Sequence, residues 1–179
     1  MNILALYSSP RKRSNSSFLL DVILEEAEKK GHNIQRLDVA KMHIKPCLAC
    51  KTCFHNGTGE CVQKDDHPIL MEAYRKADYI FMATPLYWWY VSAQLKLVID
   101  RLYPPPYDHI KGKTVHLVMT GESKTTDIGY RIVEESFRSI FRFVGADFQY
   151  FFVSATDSKV PARENEEAIQ AARRIGAQL

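Results

Sequence analysis

Two segments of this 179-residue chain place reactive or ligand-binding side chains at close spacing. The first reads Ser8-Ser9-Pro10-Arg11-Lys12-Arg13-Ser14-Asn15-Ser16-Ser17, directly after the apolar run Ile3-Leu4-Ala5-Leu6-Tyr7 and directly before an amphipathic stretch. That pattern is a strand, a hydroxyl-rich loop and a helix start. Hydroxyls, backbone N–H groups, the positive end of a helix dipole and cationic side chains meet there, which is the chemistry a bound phosphate monoester requires. The same loop is also compatible with Ser14 or Asn15 capping the helix while Arg11, Lys12 and Arg13 lie in solvent. The second segment is C-x2-C-x2-C-x7-C, formed by Cys47, Cys50, Cys53 and Cys61, which are all the cysteines of the chain. Thiolates so spaced can surround one centre, as iron–sulfur clusters and zinc sites both require. Four readings stay open: an iron–sulfur centre, a zinc site helped by His43, His55 or His67, a disulfide or redox-active thiol pair, which a reducing compartment disfavours, and thiols that serve no metal.

A third segment, Thr84-Pro85-Leu86-Tyr87-Trp88-Trp89-Tyr90, sets four aromatic residues together where the chain leaves its core. A flat ligand or a subunit interface would each account for such a run. Further on, Thr120-Gly121-Glu122-Ser123 offers a small residue and a hydroxyl that let backbone approach a ring edge.

The elements that must position these segments follow from hydrophobic periodicity. Residues 2–7 read as a buried strand and 15–30 as a helix with Phe18, Leu19, Val22, Ile23 and Ala27 on one face. Strands are expected at 33–37, 79–83, 115–119 and 148–153. Helices are expected at 69–76, 92–103, 130–144 and 165–178, and an irregular stretch from about 41 to 66 holds all four cysteines. Alternating short apolar strands and helices imply an α/β fold: a flavodoxin-like three-layer sandwich around a five-stranded parallel sheet in the order 2-1-3-4-5. Residues 1–179 then form a single domain with a cysteine-bearing insertion at about 41–66. In such a sheet the loops after strands 1, 3 and 4 converge outside the carboxyl ends of the strands, and these are the loops that carry the phosphate-type and aromatic segments.

Composition narrows the partners. The net charge is only +3, and no Lys/Arg stripe interleaved with aromatics marks a nucleic-acid surface. No window approaches eighteen apolar residues, so no membrane span is expected. The N-terminal apolar run precedes the basic cluster, the reverse of a secretory signal, and the expected location is cytoplasmic. No Ser-His-Asp arrangement is apparent.

Ser8-Ser9-Pro10-Arg11 through Ser14-Asn15-Ser16, with Thr84-Pro85-Leu86-Tyr87-Trp88 and Leu95-Lys96-Leu97-Val98-Ile99-Asp100-Arg101, resembles the NAD(P)H-dependent FMN reductase family over nearly the whole chain. The resemblance implies that Ser9, Arg11, Asn15, Ser16 and Ser17, with Ser14 in the same loop, hold the phosphate of FMN. It implies that Pro85, Leu86, Tyr87 and Trp88 border the isoalloxazine ring, and that Thr120 and Gly121 close its other side. Many relatives have Gly where this chain has Ser8. The cysteine segment resembles that of iron–sulfur flavoproteins, which would make Cys47, Cys50, Cys53 and Cys61 ligands of a 4Fe-4S cluster, although the seven-residue last spacing is long for that motif. The activity implied is NAD(P)H-dependent reduction of a small-molecule electron acceptor such as flavin or quinone. The alternative is an iron–sulfur flavoprotein exchanging electrons with a ferredoxin. Relatives of this type generally work as homodimers or homotetramers.

Overall fold

The computed structural model describes residues 1–102, 104–155 and 160–179. Tyr103, the last residue of the helix expected from Ser92, lies outside them. Five strands, β1 (Asn2–Tyr7), β2 (Asn33–Asp38), β3 (Tyr79–Tyr87), β5 (Thr114–Gly121) and β6 (Asp147–Ser154), form a parallel sheet in the order β2-β1-β3-β5-β6. A two-residue strand, β4 (Tyr90–Val91), turns back antiparallel on the end of β3. Counted without that short return, the order is the expected 2-1-3-4-5.

The inner strands β1, β3 and β5 are apolar at successive positions because both faces of the sheet are covered there. Leu4, Leu6, Ile80, Met82, Leu117 and Met119 point to a layer made by α3 (His67–Lys76), α4 (Ala93–Arg101) and α5 (Ile128–Phe143). Ile3, Ala5, Phe81, Ala83 and Val118 point to the opposite layer, made by α1 (Asn15–Lys29) and α6 (Glu166–Ala177). α5 shows the matching helical period, burying Tyr130, Val133, Phe137 and Phe141. No helix among the described residues is long and apolar enough to cross a membrane.

Two departures from the expected elements bear on function. β3 does not stop at Ala83; it continues through Thr84, Pro85 and Leu86 to Tyr87, so the aromatic segment is a hairpin and not a loop. β1 pairs with β3 only as far as Tyr7 opposite Ala83, after which β3 keeps β5 on one side and has no strand on the other until β4 meets it at Leu86. Pro85, opposite Thr120, can therefore sit in a strand without breaking a ladder that needs its missing N–H.

The second departure is that the cysteine segment is tied down at both ends. It contains a one-turn helix, α2 (Thr52–His55), and its two limbs are joined by Asp65 and Asp66. The His43 N–H donates to Asp66 Oδ2 (2.7 Å) and the Lys45 N–H to Asp65 Oδ2 (2.9 Å). Asp65 also takes both terminal nitrogens of Arg101, at 2.8 and 3.3 Å, and both side chains are out of solvent. Burial alone would raise the Asp65 carboxyl, but the Arg101 guanidinium and the N–H donors of Lys45 and His67 outweigh it and hold the group at about 2. His67, at the start of α3, closes the arrangement with Nε2 placed 2.8 Å from the Arg101 carbonyl.

His109 and His116 are each pushed down to about 4 by burial, while an unfolded chain restores them to about 6.5. Between those values the unfolded chain binds protons that the fold refuses, so stability is present above pH 6.5 and declines as pH falls toward 4. Asp65 continues the decline in the same direction between about pH 4 and 2. Urea titrations from pH 7.5 to 4 are expected to show a falling midpoint, and His116→Gln is expected to flatten that slope by on the order of 2 kcal/mol across the window. An unchanged slope in the variant would place the titration elsewhere.

Candidate cofactor site

A cavity of about 330 Å³ opens at the carboxyl ends of β1, β3 and β5. Ser9, Arg11, Ser14 and Asn15 line it from the first loop, Pro85, Leu86 and Tyr87 from the end of β3, and Thr120 and Gly121 from the end of β5. The three loops singled out in the sequence therefore meet. Arg13, Glu122 and Ala155 also line the cavity, and sequence reasoning had assigned them no role in it.

Ser16, Ser17 and Trp88 were expected here and do not line the cavity. α1 has already begun at Asn15, so Ser16 turns inward, with its Oγ 3.0 Å from Ser14 Oγ. Ser14 is the helix cap and accepts from the Ser17 N–H at 3.3 Å. Ser14 thus both caps α1 and lines the cavity. The Asn15 Oδ1 accepts from the Ala162 N–H at 3.1 Å, which pins a 3-10 turn (Ala162–Glu164) beside the loop.

The donor set suits a phosphate dianion. Two guanidiniums and two hydroxyls surround the N-terminus of a fifteen-residue helix whose first turn carries no carboxylate. The Arg11 guanidinium also lies over the Tyr87 ring, 5.8 Å from its centre, and bridges the first loop to the hairpin.

Beneath the cavity lies a hydroxyl network that connects all of these loops. The Ser8 N–H and Oγ both donate to the Ala83 carbonyl, at 3.0 and 2.8 Å. The Ser92 Oγ lies 3.0 Å from both the Ser8 carbonyl and Ser8 Oγ, and it accepts from the Leu95 N–H at 3.3 Å, capping α4. The Ser92 N–H in turn donates to Thr84 Oγ1 at 3.1 Å. Ser8 is therefore fully buried and structural, which accounts for a side chain being tolerated at that position. The sequence places Ser92 inside the helix expected at 92–103; in the structure it caps α4, which starts at Ala93, and is tied to Ser8.

The hairpin tip is strained. Trp88 and Trp89 both have positive φ, 48° and 63°, as a two-residue type I′ turn requires, where Asn-Gly is the favoured pair. Two glycines make room for it: a Cβ on Gly121 would come within 2.8 Å of Leu86 Cβ, and one on Gly129 within 3.3 Å of Trp89 Cδ1. Trp88 is 90% exposed and Trp89 55%, with their rings edge to face. A second cavity of about 500 Å³ lies against the tip, lined by Leu86, Trp88, Trp89, Glu122, Ser123, Asp127 and Ile128.

The four cysteines are reduced and lie exposed or half-buried. Cys50 Sγ accepts from the Thr52 hydroxyl at 3.4 Å, and that bond lowers its thiol; burial raises the Cys53 thiol, with the neighbouring Cys61 adding to the effect. Ala49 and Lys51 flank Cys50 with positive φ, 51° and 58°. Among the described residues no three His, Cys, Asp or Glu side chains are arranged to hold a metal ion, while Cys53 lies near enough to Cys61, Cys47 and Cys50 for their charges to raise its thiol.

Residues 1–151 match the family described as NADPH-dependent FMN reductase. The chain belongs to that family. An iron–sulfur flavoprotein of Archaeoglobus fulgidus is 37% identical over 116 residues, 63% of this chain and 51% of its own length. The chain spans about half the length of several such curated relatives. Among solved structures, an NAD(P)H:quinone oxidoreductase from Methanothermobacter marburgensis shares the fold with a TM-score of 0.75 at 21% identity, covering 99% of this chain and 95% of its own. An FMN-dependent NADH-azoreductase from Bacillus anthracis, solved in complex with FMN, shares it with a TM-score of 0.74 at 13% identity, covering 99% and 98%.

For this FMN reductase family member, two substitutions probe the positioning network and the strained tip. Ser92→Ala removes a buried cap and leaves Ser8 and Leu95 short of a partner, and is expected to cost about 1–2 kcal/mol in urea unfolding. Trp88→Asn places a residue that tolerates positive φ at an almost fully exposed position, and is expected to raise stability by about 1 kcal/mol. A fall in stability for Trp88→Asn would mean the exposed indole is held by packing that outweighs its backbone strain.

Proposed function

We propose that the protein is an FMN-dependent oxidoreductase that oxidises NAD(P)H and reduces a small acceptor such as a quinone or free flavin. For a quinone the balance is NAD(P)H, a proton and quinone giving NAD(P)⁺ and hydroquinone. The observation that carries the reading is the convergence of an anion-binding helix start, a hairpin wall and a close-approach glycine on one cavity at the carboxyl edge of the sheet. FMN, when bound, supplies the hydride-accepting ring, and no acid–base side chain is needed for that transfer. Arg11, Arg13, Ser9 and Ser14 would hold the phosphate, with the α1 dipole adding to the attraction. Pro85, Leu86 and Tyr87 would wall one side of the ring, and Thr120 with Gly121 would bound the other. Leu86 and Tyr87 also limit water at the reacting face.

The C-x2-C-x2-C-x7-C spacing and the relatives named iron–sulfur flavoproteins favour a second reading, an electron carrier served by a ferredoxin. Iron and acid-labile sulfide assays on anaerobically purified protein separate the two readings, as does reduction by NADPH against reduction by ferredoxin. Association into a homodimer or homotetramer belongs to the first reading and is supported by Ile132 and Phe143, exposed on α5.

FMN is expected to bind, and NADPH to bleach it under anaerobic conditions. The double variant Arg11→Ala, Arg13→Ala is expected to weaken FMN by about a hundredfold, since each charge-assisted contact contributes about 1.5 kcal/mol. Riboflavin, which lacks the phosphate, should lose little. Equal losses for the two flavins in a fluorescence titration would remove the arginines from the phosphate role.

A further inference from the structure

The second cavity and the cofactor cavity share Leu86 and Glu122, so whatever fills one touches a wall of the other. Charge is distributed unevenly across the pair. Arg11 and Arg13 stand in the first, whereas the second carries Glu122 and Asp127 and no cation. Neither carboxylate makes an ion pair among the described residues. The remaining walls are flat or apolar, with Trp88, Trp89 and Ile128 exposed around the opening. Two indoles held at positive φ and left in water are an unfavourable arrangement unless a ligand or another surface covers them.

We propose that this second cavity is the acceptor subsite, and that Glu122 and Asp127 restrict it to planar aromatic acceptors that are uncharged or cationic. The proposal rests on the reductase reading for the word acceptor. The selection itself depends only on the cavity. A ring stacked on the Trp88–Trp89 tip lies beside Leu86, the wall common to both cavities, and so is carried to the edge of the cofactor site. An anionic substituent on that ring meets two carboxylates that have no ion-pair partner among the described residues, Asp127 being offset only by the α5 N-terminus, in a partly enclosed space where like charges repel more strongly than in bulk water. The two cavities then divide the work by charge: anion capture at the first loop, anion rejection at the hairpin.

The chain has two tryptophans, both in the hairpin, so tryptophan fluorescence reports ligands bound at or beside this tip, and the titration with FMN in place separates this subsite from the cofactor cavity. The probes are 1,4-naphthoquinone and its 2-sulfonate, titrated into the full chain with and without FMN. The neutral quinone is expected to quench with at least tenfold higher affinity at low ionic strength, the gap narrowing as salt screens the carboxylates. In the double variant Glu122→Gln, Asp127→Asn the two affinities should come within about twofold. Asn also serves as a helix cap, so α5 keeps its start in that variant. The ratio of kcat/KM for the two quinones, measured with NADPH, should change in parallel. Equal quenching by both quinones in the parent chain, no quenching by either, or a preference that survives the double variant would each overturn the proposal. Charge-selective quenching without NADPH-driven turnover would count against the reductase reading and leave the charge selection standing.

Discussion

Where β1 ends, one buried hydroxyl decides how everything above the sheet is arranged. Ser8 donates twice to the Ala83 carbonyl, and Ser92 closes on Ser8 while also capping α4. A buried hydroxyl without partners is costly, so each of these groups is obliged to stay where the others are. That obligation holds the first loop and the hairpin at a fixed separation, and the cavity is the space between them. An apolar residue at position 8 would keep the backbone bond to Ala83 and leave Ser92 without its hydroxyl partner.

The cysteine segment depends on a different kind of contact. Asp65 and Arg101 form a buried, two-pronged ion pair, and Asp65 also gathers the N–H groups of Lys45 and His67. Such a pair is expensive to desolvate, and it persists because every lone pair of the carboxylate is used. Its consequence is geometric: the limbs of a long, mostly irregular stretch are drawn together under the thiols, although the stretch has almost no core of its own.

The fold was legible because parallel strands covered on both faces must be apolar throughout, and Ile3 to Leu6, Ile80 to Ala83 and Val115 to Met119 are largely so, with His116 alone breaking the last run. The meeting of the first loop, the β3 end and the β5 end was legible for the same reason, since topology alone sends them to one edge. What was not legible lay in contacts between residues distant in sequence. Ser8 and Ser92 are 84 positions apart, and Asp65 and Arg101 are 36 apart. The extension of β3 through Pro85 was hidden because it depends on where a neighbouring strand stops. Ser16 and Ser17 looked like ligands for phosphate because hydroxyl type was visible and helix phase was not. Trp88 looked like a ring border because nothing in local propensity suggests two tryptophans in a type I′ turn.

α4 joins the two halves of this picture. Its first turn begins at Ser92, inside the hydroxyl network below the cofactor cavity, and its last residue is Arg101, inside the ion pair below the cysteines. Nine helical residues span only about 13 Å, a rigid distance on the scale of the domain. In terms of local opening, unwinding α4 from its first turn removes the cap that supports the cavity, and unwinding it from its last removes the buried charge that supports the cysteine segment. A displacement of α4 as a body therefore disturbs the support of the cofactor cavity and of the cysteine segment together.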